Sequence, residues 1–199
     1  MSDRDLTEAP QGSMTPLEEL RFRRAESLCM GGEAAIERQH RAGRLTVRER
    51  IDLLTDAGSF REVGRLTGTG HYDEQQRLLG VTPAPYVGGM ARIDGRPVVL
   101  GGEDFTVRGG TTFGAQRRKG GQGGFIEDFA HHYQVPLINL IDGAGGSVTS
   151  LKRRGHSVFP GVHGFERSVG LLGEVPVVSA VLGTAAGGPA GRAILSHFS

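Results

Sequence analysis

The stretch Val135 to Ser147 (VPLINLIDGAGGS) constrains this chain more than any other, because an almost unbroken apolar run enters a bend made of glycine and alanine. Pro136 suits the start of a strand, where a missing N–H costs least, and Leu137, Ile138, Leu140 and Ile141 have the character of a strand covered on both faces. Asp142 ends the apolar run. Gly143, Ala144, Gly145 and Gly146 then carry nothing larger than a methyl, so a ligand atom can approach their main-chain N–H groups. The plan recurs downstream, where Val175 to Leu182 (VPVVSAVL) leads into Gly183 to Gly191 (GTAAGGPAG). Two apolar strands ending in bare-amide loops predict either donors converging on one oxygen or two tight turns of a buried sheet.

The 33 glycines far exceed the average of roughly 7% and gather at loops without a collagen-like period. A chain of 199 residues suits one domain, or part of a larger one, with a real core. With 23 basic and 22 acidic side chains the net charge is +1, which gives no general attraction to nucleic acid or anionic membrane. Cys29 stands alone, which excludes an internal disulfide and a multi-cysteine zinc site. No apolar run approaches the ~20 residues of a membrane helix, and the first residues lack a secretory pattern, so the cytoplasm is the expected compartment.

In chain order, residues 1–14 form a polar tail, 15–57 a helical segment, and 58–199 the main domain. Thr15-Pro16 with Glu18 and Glu19 starts one helix, for which Leu17, Leu20, Ala25 and Leu28 supply an apolar face. Gly31-Gly32 breaks it, Glu33 to Arg41 forms a second, and Thr46-x-x-Glu49 is a capping box for a third with Val47, Ile51 and Leu54 on one side. The arginines of these helices, among them Arg44, Arg48 and Arg50, alternate with glutamates and read as a solvated, ion-paired surface. Phe60 to Val63 is a short strand and Gly64 to Thr82 an irregular connection. Tyr86 to Ile93 and Pro97 to Glu103 flank Asp94-Gly95, a strong hairpin signal. Gly109 to Lys119 opens a helix that Gly120, Gly121, Gly123 and Gly124 break, at about 0.8–1 kcal/mol each. Phe125 to Tyr133 is its second piece, with Phe125, Phe129 and Ile126 as the inward candidates, and Gly164 to Gly173 is a short helix before the second apolar strand. The sequence of strand, loop and helix, twice over, predicts an α/β fold of ββα-like units.

Several motifs stand in register with a known family: Thr46 to Leu54 followed by Gly58-Ser59-Phe60 and Glu62, the run Gly102 to Gly110 (GEDFTVRGG), Lys119, the loop Asp142 to Gly146, and Ala186-Gly187-Gly188. Over residues 44–199 the chain resembles the carboxyltransferase (beta) subunits of biotin-dependent acyl-CoA carboxylases. The resemblance implies a crotonase-like spiral of ββα units, incomplete at the C-terminus and preceded by N-terminal helices. It implies an acyl-CoA substrate of acetyl, propionyl, methylcrotonyl or geranyl type, and biotin on a separate carrier protein or domain. Biotin carboxyl carrier and biotin carboxylase components would be partners, in a homo- or hetero-oligomer without nucleic acid or membrane. Carboxylation next to a thioester requires an enolate, whose oxygen is more negative than the ground-state carbonyl. By resemblance, amides of Ala144, Gly145 and Gly146 and of Gly187 and Gly188 hold that oxygen. The ureido nitrogen of biotin takes the proton in similar enzymes, so no side-chain base is named.

The phosphates of CoA call for cations. Arg117, Arg118 and Lys119, and Lys152, Arg153 and Arg154, are the candidates, with two solvated charge runs as the alternative. His131, His132, His156 and His163 have no metal-ligand spacing, and the glycines at 120–124 lack the ending of a phosphate loop. The family loop reads Asp-Ser-Gly-Gly-Ala where this chain has Asp142-Gly143-Ala144-Gly145-Gly146, which leaves open which amides face the oxygen. The zinc ribbon of one family branch is absent. The family also continues beyond the point corresponding to Ser199, so the chain is expected to supply part of the machinery and, alone, to associate or fold marginally. A decarboxylase acting on malonyl-type CoA, or a non-catalytic module that binds CoA or a partner, are the alternative functions.

Overall fold

The structure is a computed structural model that describes residues 14–111, 125–146, 152, 155 and 163–199. Residues 1–13 of the expected tail 1–14, and residues 112–124 of the broken helix expected from Gly109 onward, lie outside the described residues.

Three helices come first: α1 (Pro16–Glu26), α2 (Glu33–Arg41) and α3 (Val47–Leu54). Thr15 and Thr46 cap α1 and α3 as full capping boxes, each hydroxyl accepting from the amide of Glu18 or Glu49 while that carboxylate returns to the cap amide. Val47 and Ile51 bury the inner face of α3, whereas Leu54 is exposed. The expected apolar face of α1 is not its docking face. Leu17, Ala25 and Leu28 are exposed, and the buried residue is Glu26, whose carboxylate accepts from the Val81 amide at 3.5 Å. The helix is fixed through polar groups instead, with Arg23 donating to the Tyr72 hydroxyl at 2.8 Å and Arg65 donating to Ser27 Oγ at 2.9 Å.

After the short strand β1 (Arg61–Glu62), the region expected to be irregular forms a hairpin of β2 (Gly68–Tyr72) and β3 (Leu78–Pro83). Its turn carries no glycine signature. Gln76 takes the positive φ of 61°, and the Asp73 carboxylate closes the turn by accepting from the amides of Gln75 and Arg77 at 3.0 and 2.8 Å.

The main sheet has the order β1-β4-β5-β6-β7, built with β4 (Tyr86–Ile93), β5 (Arg96–Glu103), β6 (Leu137–Gly143) and β7 (Val177–Ala185). Asp94 and Gly95, at φ 50° and 76°, make the tight turn between antiparallel β4 and β5. β6 and β7 then add in parallel, which demands crossovers. Helix α4 (Phe125–Tyr133) precedes β6, α5 (His163–Leu171) precedes β7, and α6 (Gly188–Ile194) follows it. The region expected as one loop, 183–191, is therefore divided between the end of β7 and the start of α6.

Alternation along β5 explains why its run is apolar throughout. Val99 joins Tyr86, Ile126, Ala130, Leu137, Leu171 and Val177 under α4 and α5. Val98 and Leu100 join Val47, Ile51, Val87 and Leu140 under α3. In α4 the fully inward residues are Ile126 and Ala130, with Phe125 and Phe129 half-buried beside them. On the far edge of β7 the chain's own residues return: the amides of His197 and Ser179 bond to the carbonyls of Val177 and Phe198, both at 2.8 Å, while Val181, Leu182, Ile194 and Phe198 are exposed. Because β5, β6 and β7 run in one direction, their C-terminal ends, at Glu103, Asp142-Gly143 and Ala185, lie along one rim of the sheet.

Asp56 locks the hairpin turn from below α3, its carboxylate accepting from the amides of Asp94 and Gly95 at 2.9 and 2.8 Å. Replacement of Asp56 by Ala is expected to reduce the free energy of unfolding by about 1–2 kcal/mol, read from urea denaturation. Asp56→Asn, which keeps one acceptor, is expected to lose about half of that.

Candidate functional site

The C-terminal rim of β6 and β7 brings the two glycine loops into contact. Gly145, at φ 74°, has no room for a side chain: a Cβ there would stand 2.4 Å from the carbonyl oxygen of Ala186 and 3.2 Å from the amide of Gly187. Gly146 and Gly187 are exposed to solvent, and Ala144, Gly145 and Gly188 are half-buried. The loops thus meet backbone to backbone at a surface a ligand can reach.

Main-chain bonding separates the amides into used and available ones. Ala144 donates to the carbonyl of Gly109 at 2.9 Å, and Ala186 donates to that of Gly143 at 3.2 Å. The amides of Gly145, Gly146, Gly187 and Gly188 make no hydrogen bond among the described residues. Of the five residues expected at the site, four therefore present donors that are uncommitted among the described residues, and Ala144 anchors the loop to the turn Arg108–Gly110.

Asp142 is the support beneath these donors. It is fully buried, and its carboxylate accepts from Gln39 Nε2 at 3.1 Å, Arg50 Nη2 at 2.9 Å and the Thr184 amide at 2.9 Å. Arg50 also donates to the carbonyl of Leu182 at 3.3 Å. A Cβ at Gly183 would stand 2.2 Å from Asp142 Oδ1, so the carboxylate occupies the volume a side chain there would need. The helical segment is thereby tied into the rim: α2 gives Gln39 and α3 gives Arg50. This corrects the reading of the arginines as a uniformly solvated surface. Arg50 is buried, and Arg48 pairs with Glu62 at 2.9 Å while donating to the carbonyl of Ser27. Sequence reasoning passed over Gln39 and Arg50 because their partners lie more than 90 positions away.

A second buried acid stands next to the first. Glu103, at the end of β5, accepts from the Asp142 amide at 3.2 Å and pairs with Arg192 of α6. Arg192 lies over the Tyr86 ring at 5.4 Å, and all three side chains are buried. Burial pulls the Arg192 guanidinium below its ordinary pKa and pushes the Tyr86 phenol well above its own. Burial also raises the Asp104 carboxyl, against hydrogen bonds from Thr106 that act the other way.

The cationic candidates are mostly not placed. Arg117, Arg118, Lys119, Arg153 and Arg154 lie outside the described residues, and Lys152 is exposed. Two arginines that the sequence did not single out for phosphate, exposed Arg108 and half-buried Arg44, stand near the loops. Arg108 precedes Gly109, and Arg44 lies over Phe105 at 5.2 Å, the ring next to Gly109. His131 pairs with Glu174, His163 opens α5, and His156 is outside the described residues. Among the described residues no group of three His, Cys, Asp or Glu side chains could hold a metal, and no helix is long and apolar enough to cross a membrane.

Residues 38–199 match the family model of the carboxyl transferase domain. The propionyl-CoA carboxylase beta chain of Cereibacter sphaeroides is 34% identical over 188 residues, covering 92% of this chain and 34% of that protein. The mitochondrial propionyl-CoA carboxylase beta chain of Homo sapiens is 34% identical over 92% of this chain and 33% of its own length. The chain thus spans about a third of the length of these curated relatives. Among solved structures, transcarboxylase 12S with methylmalonyl-coenzyme A and methylmalonic acid bound superposes with a TM-score of 0.70 at 27% identity, over 94% of this chain and 36% of that one. A single-chain, multi-domain long-chain acyl-CoA carboxylase gives a TM-score of 0.70 at 29% identity, over 93% and 19%. The α/β fold is that of the crotonase-like carboxyltransferases.

Removing one partner of the Arg50–Asp142 pair leaves a buried charge uncompensated. Arg50→Met is expected to cost about 3–5 kcal/mol in chemical denaturation. Asp142→Asn, which keeps an acceptor for Thr184 and lets Arg50 retain the Leu182 carbonyl, is expected to cost less.

Proposed function

This chain belongs to the carboxyl transferase domain family, and from that premise we propose that it is the acyl-CoA-binding part of a carboxyltransferase that moves a carboxyl group from carboxybiotin to the α-carbon of an acyl-CoA. The observation that carries the proposal is the contact between the two glycine loops, which offers uncommitted amides of Gly145, Gly146, Gly187 and Gly188 at the end of two parallel strands. Such a cradle fits a carbonyl oxygen, of a thioester or of a ureido ring, because the donors are fixed and nothing larger than hydrogen screens them.

In the proposed reaction the α-carbon loses a proton, the carbonyl becomes an enolate, and the α-carbon then bonds to the carboxyl carbon. Negative charge appears on the thioester oxygen only along this path, so amides that are already in place favour the transition state over bound substrate. The loops of this chain would hold that oxygen and orient the α-carbon. Biotin, on a separate carrier, would supply the carboxyl group and take up the proton. Positively charged residues at 117–119 and 152–154, together with Arg44 and Arg108, are proposed to face the phosphates of CoA.

The acyl group is proposed to be of the propionyl type. Relatives bear that name, and a structural relative was solved with methylmalonyl-coenzyme A, which is propionyl-CoA carboxylated at its α-carbon. Biotin carrier and biotin carboxylase components are the proposed partners.

The test is an assay of the chain assembled with the remaining carboxyltransferase portion and a carboxylated biotin carrier. Propionyl-CoA is expected to be carboxylated, and acetyl-CoA and methylcrotonyl-CoA to react more slowly. Loss of carboxyl from methylmalonyl-CoA without transfer to biotin would instead identify a decarboxylase. In the active assembly, Gly145→Val is expected to lower kcat by about 10^2–10^3-fold with KM for the acyl-CoA little changed. Near-normal turnover would remove Gly145 from the oxyanion site. In calorimetry, Arg153→Ala with Arg154→Ala is expected to weaken CoA binding, and added salt to weaken the parent in the same direction. Unchanged affinity in a folded variant would take that patch out of the site.

A further inference from the structure

Two loops that share one oxygen must be held at a fixed separation, and the bond from the Ala186 amide to the Gly143 carbonyl joins them only on the strand side of Gly187. Asp142 reaches Thr184, which lies before the second loop. What holds the chain after that loop is the helix α6, whose buried residues Pro189, Arg192 and Ala193 include one charged side chain. Arg192, one turn beyond Gly188, is 2% exposed and pairs with Glu103, itself 1% exposed. The other oxygen of the same carboxylate accepts from the Asp142 amide at 3.2 Å. Glu103 Cγ and Pro189 Cγ each stand 2.8 Å from where a Cβ of Gly143 would be, so the glutamate stem and the first turn of α6 close on the base of the central loop from two sides. Ser179 Oγ donates to the Arg192 carbonyl at 3.3 Å and accepts from Asn139 Nδ2 at 3.3 Å, tying the same turn of α6 to β7 and β6.

We infer that Glu103 and Arg192 are a positioning pair that sets the spacing between the amide loops at Gly145-Gly146 and Gly187-Gly188. The inference deepens the proposed function and rests on its reading of the loops as the carbonyl site. A stabilising role does not account for the pair. A buried ion pair gains little over apolar side chains of the same shape, whereas it fixes the direction of the groups it joins. One carboxylate here joins the strand end that launches the first loop to the helix that follows the second. Donors aimed at a developing oxyanion lose their effect when displaced by about 1 Å, at a cost on the order of 10^2 in rate.

The experiment compares Glu103→Gln, Arg192→Met and the double variant with the parent, in the assembled carboxyltransferase. The single variants each leave one buried group without its counter-charge and are expected to melt lower. The double variant removes both charges and is expected to recover the melting temperature of the parent. The positioning role predicts that kcat falls about 10–100-fold in the single variants and stays low in the double variant, with KM for the acyl-CoA within about threefold of the parent. If kcat recovers together with the melting temperature, the pair is structural and the inference is overturned. Amide hydrogen exchange provides a readout independent of turnover. The hydrogen-bonded amides of Ala144 in the first loop and of Thr184 and Ala186 in the second are expected to exchange faster together in the double variant while β4 and β5 keep their protection, and unchanged exchange of these amides in either loop would overturn the inference. Should the parent assembly transfer no carboxyl group at all, the proposed function fails on that result, and hydrogen exchange alone decides whether the pair couples the loops.

Discussion

The carboxylate of Asp142 is the contact on which the remaining structure depends. An ionised group without solvent is costly, and this one is compensated by donors from three separate elements: Gln39 of α2, Arg50 of α3 and the amide of Thr184 in β7. None of the three is local in sequence, so the charge is satisfied only once the N-terminal helices, the central strand and the last strand are assembled. The same group stands where Gly183 would otherwise need room. Order in the glycine loop is therefore imposed from beneath, which suits a segment with almost no side chains to pack.

Glu103 extends this arrangement to α6, so two acids on neighbouring strands support one rim. The apolar cores on the two faces of the sheet keep β5 and β6 in register, and the acids convert that register into the placement of loop amides. Hydrophobic burial supplies the larger share of the stabilising free energy, and it is non-directional. Direction at the rim comes from the charged groups, where geometry matters more than their modest net contribution.

Much of this was legible in the sequence wherever a local rule decides the structure. The helix start at Thr15, the capping box at Thr46, the turn at Asp94-Gly95, the helix 125–133 and the apolar strand entering Gly143 each rest on residues a few positions apart. The β2–β3 hairpin was not legible, because its turn is closed by the Asp73 side chain with Gln76 in the position glycine usually takes. Nor was the docking face of α1, whose leucines face outward while Glu26 faces in. At the site the bare loops were evident from composition. Which amides are already engaged depended on Gly109, whose carbonyl takes the Ala144 amide from 35 positions away, a pairing no spacing rule reveals. Gln39, Arg50 and Arg192 escaped for the same reason: a polar residue on a helix reads as solvated until its distant partner is placed.

The available donors at the rim are main-chain N–H groups, and this determines how such a site can vary. An amide does not titrate between pH 4 and 10, so its hydrogen-bonding strength stays constant while the side chains around it change charge. It also belongs to every residue type except proline. Truncating side chains one at a time would leave each donor intact, and converting the glycines to alanine would add atoms instead of deleting the group of interest. Only a backbone ester in place of a single peptide link removes one N–H and leaves its neighbours in position. The loop could therefore diverge widely in the residues that support it while the groups it presents stay chemically identical.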